Sequence, residues 1–117
     1  ASEYYKLCDL NIDTDKVFNS GVLVLQPKIH NDFLQKIYNN YIIKSISHHR
    51  GYHFEQSCIG FELQKANLYK VLDNKFNAIW GLTKIDNIKN ITLEKYFTQN
   101  YFIHFAGNVD HDKIKHL

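Results

Sequence analysis

The sequence predicts a layered α/β fold, a mixed sheet with flanking helices. Three observations carry that expectation. Short apolar runs rich in β-branched or aromatic residues recur at 17–25, 69–73 and 101–107. The stretches 29–46 and 54–63 between the first two runs have helical character. A single proline, no Gly/Ser-rich linker and no internal repeat give one domain over residues 1–117. Strands separated by helices are the pattern of an α/β layer architecture.

In chain order, Val17-Phe18 and Val22-Leu23-Val24-Leu25 flank the polar triplet Asn19-Ser20-Gly21. This reads as a buried strand entered through a tight turn. Pro27 stops the strand and suits the first turn of a helix. Apolar residues at Ile29, Phe33, Leu34, Ile37, Tyr38, Tyr41 and Ile42 form the stripe of an amphipathic helix running to about Ile46. Ser47-His48-His49-Arg50-Gly51 closes it in a loop. Residues 54–63 make a second helix, in which Gly60 costs about 1 kcal/mol against alanine and so marks a close packing contact. Residues 69–73 read as a short strand, 76–81 as an irregular aromatic segment, and 93–97 as one or two helical turns. The run 101–107 is a final strand stopped by Gly107. Strands 17–25 and 101–105 are expected to be neighbours in one sheet, with Asn19 and His104 at the same edge.

The composition narrows the function classes. With 44% hydrophobic and 15% aromatic residues the chain is too apolar for a disordered polypeptide. A net charge of +2, with Arg50 the only arginine, argues against a nucleic-acid partner, because the guanidinium fork is the preferred group for phosphate and guanine. No apolar stretch approaches the roughly 20 residues of a membrane span. The N-terminus lacks a basic-then-apolar signal pattern. There is no methionine at all, and the chain is expected to be a piece of a longer polypeptide. Cys8 and Cys58 do not make a disulfide framework. They read as two free thiols in a reducing, cytoplasmic compartment, with a single Cys8–Cys58 bridge as the alternative.

Five groups of residues have chemical potential, each with a plainer reading. Asn19-Ser20-Gly21 sits at the mouth of an expected strand, where α/β sheets bind ligands, or is simply a turn. Glu55-Gln56 can present an acid and an amide to a cleft, or can favour the helix dipole. His104, inside an apolar strand, is a candidate metal ligand or a core histidine. His48, His49 and His53 match no zinc template and read as a solvated loop. Asp13-Thr14-Asp15 can bridge a cation and a diphosphate, or be a polar turn.

The order of the pieces is more specific than any one of them. Phe-Asn-Ser-Gly-Val at 18–22 is followed by a helix and by Glu-Gln at 55–56. Leu-Asp-Asn-Lys-Phe-Asn-Ala-Ile-Trp at 72–80 and His-Phe-Ala-Gly at 104–107 complete the series. Over about residues 17–107 the chain resembles the C-terminal half of a GT-A glycosyltransferase of the glycogenin and lipopolysaccharide galactosyltransferase type. The resemblance implies metal-dependent transfer of a sugar from a nucleotide-sugar, a UDP-sugar in particular, to a carbohydrate or glycoconjugate acceptor. It implies that Asn19 and Ser20 line the sugar cleft and that Glu55 and Gln56 contact the donor sugar and the reacting centre. It further implies that His104 is a ligand of Mn2+ or another divalent cation, and that Gly107 and Lys113 approach the diphosphate. Two departures stand out. The family's Asp-Gln pair is Glu-Gln here, and its Lys-Pro-Trp is absent near Lys113. Asp13-Thr14-Asp15 has no apolar strand ahead of it and is not equated with the family's Asp-x-Asp. The nucleotide-binding half is missing from this chain, which is expected to be inactive alone. The alternative is a non-catalytic α/β binding or interaction module.

Overall fold

The computed structural model describes residues 1–47, 54–81 and 91–105. It divides into two compact units, Ala1–Lys70 and Val71–Leu117. The elements are mixed, helices with a small parallel sheet, so the fold class is α/β.

The first unit is helical. Helix α1 (Ser2–Lys6) is a single short turn that isolated chain would not hold. Its stability comes from Tyr5, which is 0% exposed. Burial of a side chain this size contributes on the order of 2 kcal/mol. The chain then turns back on itself: Asp9 adopts a positive φ of 58°, and the Leu10 N–H donates to the Tyr5 carbonyl at 3.1 Å.

Helix α2 (Pro27–Ser47) starts at the proline, as its fixed φ favours. The ring Nδ1 of His30 accepts from the Gln26 N–H at 2.8 Å, and the Gln26 carbonyl receives the Ile29 and His30 N–H groups. The inward stripe is Phe33, Leu34, Ile37 and Tyr41. Three members of the expected stripe fall outside it: Ile29 and Tyr38 are exposed, and Ile42 is half-buried. Helix α3 (Phe54–Ala66) packs against both α1 and α2. It ends where Asn67 takes a left-handed φ of 53°, letting the Leu68 N–H reach the Leu63 carbonyl at 3.0 Å. This is the glycine-like C-terminal stop that asparagine tolerates. Tyr5, Cys8, Leu10, Ile37 and Cys58 form the core, and both cysteines are free and buried.

Two expected strands are not formed. Residues 17–25 and 69–73 have no regular structure. Leu23, Val24 and Leu25 are exposed, Val24 by 74%. The reason is that a strand exists only by pairing. Among the described residues the first unit contains no strand to complete a ladder with 17–25.

The second unit holds the sheet. Asp73 caps a 3-10 turn, Asn74–Phe76, by accepting from the Lys75 N–H at 2.9 Å. Strand β1 (Ala78–Ile79) lies within the segment read as irregular. Helix α4 (Leu93–Gln99) is capped by the Thr92 hydroxyl and leads to strand β2 (Ile103–His104). The two strands are parallel, with Ala78 opposite Ile103 and Ile79 opposite His104. The strand expected over 101–107 thus shrinks to two residues within its described part, 101–105. Its ladder partner is β1, so the expected pairing of 17–25 with 101–105 is corrected. Rings brace the unit: Trp80 meets Tyr96 edge-on at 5.2 Å, and Phe76 meets Tyr101 at 4.7 Å. Among the described residues no helix is long and apolar enough to cross a membrane.

Candidate functional site

The first cluster forms where α1, the 18–21 turn and the start of α3 meet. The Asn19 carboxamide oxygen accepts from the Gly21 N–H at 2.7 Å, an Asx turn that fixes the triplet. The preceding N–H, that of Ser20, donates to Oε1 of Gln56 at 3.1 Å. The other end of that amide, Nε2, donates to the Tyr4 hydroxyl at 2.9 Å. Asn19, Ser20 and Gln56 are therefore joined across 36 residues of sequence. Glu55 stands beside Gln56 in the first turn of α3, with its side chain exposed.

A second amide, two turns along α3, ties the N-terminal segment down. Gln64 Nε2 donates to the Tyr5 hydroxyl at 2.8 Å and to the Gly60 carbonyl at 3.1 Å. Its Oε1 accepts from the Thr14 hydroxyl at 2.5 Å. Burial, opposed by hydrogen bonds from Phe18 and Gln64, pushes the Tyr5 phenol up from its ordinary range. The Thr14 N–H and carbonyl are also both held by the Ser2 hydroxyl, at 3.0 and 3.1 Å. Asp13 and Asp15 thus flank an anchored turn and are themselves exposed. Elsewhere on α3, Glu62 accepts from the Tyr41 hydroxyl at 2.5 Å, and burial followed by this bond raises the Tyr41 pKa strongly.

Tyr4, Tyr5 and Gln64 were not singled out in the sequence, yet a signal was present. Gln56 and Gln64, with Gly60 midway between them, recur at four-residue steps along α3. Such a polar line along the buried face of α3 requires partners, and the adjacent pair Tyr4-Tyr5 supplies one phenol to each amide.

His104 lies in the second unit, in β2. Its Nδ1 is 3.0 Å from the Asn77 carboxamide oxygen. A carboxamide oxygen only accepts, so Nδ1 carries the proton and Nε2 holds the lone pair in the neutral ring. That is the arrangement of a metal-ligating histidine held by an outer partner. It is equally that of a satisfied histidine at a sheet end. Among the described residues no three His, Cys, Asp or Glu side chains converge to hold an ion. Gly107, Lys113 and the cluster His48, His49 and His53 lie outside the described residues.

No protein-family model, curated protein or solved structure matches the chain significantly.

Proposed function

We propose that the chain is part of a metal-dependent glycosyltransferase that moves a sugar from a nucleotide-diphosphate-sugar, a UDP-sugar in particular, to a carbohydrate or glycoconjugate acceptor. One observation carries the reading. The two motifs that the resemblance assigns to the donor sugar, Asn19-Ser20-Gly21 and Glu55-Gln56, are bonded directly through the Ser20 N–H and Gln56 Oε1. Neither the turn nor the helix start requires the other by local rules.

In this reading Asn19 and Gln56 orient the sugar by hydrogen bonds to its hydroxyls, and the exposed Glu55 carboxylate accepts from another hydroxyl. Fixing the anomeric carbon relative to the acceptor is how positioning contributes to the rate. A bound divalent cation would offset charge developing on the leaving diphosphate. His104 fits one position in its shell through Nε2. A single imidazole holds a hard cation poorly without carboxylate oxygens, so further ligands are required. Lys113 and Gly107 would serve the phosphates.

The non-catalytic reading has its own support. Both ends of the Gln56 amide are engaged within the fold, which is what a purely structural glutamine does. The deciding experiment supplies the complete polypeptide with Mn2+ and a panel of UDP-sugars and follows UDP release. Turnover that falls roughly a hundredfold in Gln56→Ala supports the transferase. Absence of turnover with every donor returns the chain to the binding-module reading.

A further inference from the structure

The Gln56 amide fixes the direction of both its hydrogen bonds. A backbone N–H can only donate, so the Ser20 N–H requires Oε1 on its side. The NH2 group then faces Tyr4, and the phenol oxygen is the acceptor, at 2.9 Å. The phenol's own proton therefore points away from Gln56. Among the described residues, no acceptor takes it. Tyr4 is half-buried, and its ring stands edge-on to Tyr5 with centroids 5.2 Å apart at 85°. Tyr5 is completely buried, so it braces the Tyr4 ring from below.

The geometry points to Tyr4 as a ligand-binding residue, a fixed O–H donor for a sugar hydroxyl at the Asn19–Gln56 cluster. The inference rests on the sugar-binding reading of that cluster. The chemistry favours a neutral polyol over an anion. The cluster offers a phenol donor and a neutral amide, and among the described residues no cation is bonded within it to attract an anion. A sugar hydroxyl both accepts and donates, so it can accept the Tyr4 O–H hydrogen bond. The amide dictates the direction: were Gln56 absent, the phenol could rotate its proton to any nearby acceptor.

The test uses the chain with methyl α-galactoside and methyl α-glucoside as probes. Binding is read by NMR from the Ser20 amide and the Gln56 side-chain amide. Tyr4→Phe keeps the ring and removes only the hydroxyl, and it should weaken glycoside binding roughly three- to tenfold. Labelling tyrosine Cζ with 13C gives a second reading free of any substitution, because the Tyr4 signal must move when a glycoside binds. Equal affinity in Tyr4→Phe, a Tyr4 signal that stays still while a glycoside binds, or no glycoside binding at all would overturn the inference. Glycoside binding that depends on Tyr4, with no transfer from any nucleotide-sugar by the complete polypeptide, keeps the Tyr4 site and removes the transferase reading.

Discussion

Gly60 lies directly beneath the Tyr5 hydroxyl. A Cβ built at Gly60 would sit 2.8 Å from Tyr5 Oη and 3.6 Å from the Phe18 Cβ. The glycine in the middle of α3 is thus explained by a neighbour, at the helix-propensity cost the sequence already implied. Tyr5 is buried on all sides and bonded to Gln64, so it has little freedom to retreat.

The first prediction follows from this contact. Gly60→Ala should destabilise the first unit by about 1–2 kcal/mol, overpacking outweighing the better helix propensity. In the Tyr5→Phe background the obstructing oxygen is gone, and the same substitution should become neutral or stabilising. Urea denaturation of the four proteins closes the double-mutant cycle. Equal effects in the two backgrounds would show that the hydroxyl is not what excludes a side chain at Gly60.

The second prediction concerns alkaline stability. Burial, and then the bond to Glu62, raise the pKa of Tyr41 in the folded chain. The folded state therefore keeps a proton that the unfolded chain loses near its ordinary value of about 10. The sign is fixed by linkage: this contribution is complete below the ordinary tyrosine pKa and declines as pH rises above it. The urea midpoint should fall as pH rises above roughly 10, and Tyr41→Phe should fall less over the same interval. Tyr5 and Tyr96 shift in the same direction and remain in the variant, so the slope is reduced rather than abolished. Parallel slopes in the two proteins would remove Tyr41 from the account.

These contacts also show where the sequence was informative. The spacing of Phe33, Leu34, Ile37 and Tyr41 located α2, and the Thr92 hydroxyl beside Leu93 accompanies a helix that was read as one or two turns. Gly60 announced its close contact. Local periodicity is set by covalent geometry, which is why it is readable. The strand expected at 17–25 does not form because apolar composition speaks to burial, and burial in a sheet depends on a partner strand that the local sequence does not specify. The two-residue strand at Ala78–Ile79 left no periodic trace, being shorter than any pattern can show. At the candidate site, Asn19 and Gln56 were legible as motifs. Their shared hydrogen bond, and the part played by Tyr4, depended on a tertiary approach that no local rule encodes.

The third prediction isolates Gln56. Replacing it with alanine leaves the Ser20 N–H without its acceptor and Tyr4 without its donor. The cost should be about 1–3 kcal/mol of stability, since Ser20 is half-buried and water replaces the amide only in part. Hydrogen exchange should accelerate most at Ser20. The Gly21 N–H should change less, because its acceptor is Asn19 within the same turn. Uniform acceleration across the first unit would indicate global destabilisation in place of a released turn.

The fourth prediction tests the histidine. Because the Asn77 oxygen accepts, 15N spectra should show His104 protonated on Nδ1 when neutral. Asn77→Ala should let the tautomers mix. In the complete polypeptide, His104→Ala should lower Mn2+-dependent turnover by a large factor and leave the fold intact, because a lost ligand weakens the cation facing the leaving diphosphate. Unchanged activity and metal dependence would make His104 a structural partner of Asn77 alone.

The fifth prediction is that the 117-residue chain by itself neither hydrolyses nor transfers a nucleotide-sugar, and binds UDP with Mn2+ no more tightly than about 1 mM. Among the described residues His104 has no carboxylates gathered around it. The pair Asp13 and Asp15 is a hard-oxygen motif whose spacing suits a diphosphate-bound cation. It flanks Thr14, and Thr14 is anchored three ways, to Ser2 through its backbone and to Gln64 through its hydroxyl. A carboxylate pair on a tethered, exposed turn can attract a cation from water but has little to offset the loss of its hydration shell. Calorimetry with UDP and Mn2+ should therefore show heats close to dilution. Micromolar binding that disappears in Asp13→Ala or Asp15→Ala would mean that the turn carries a metal site of its own, and that the diphosphate is held at the N-terminal end of the chain.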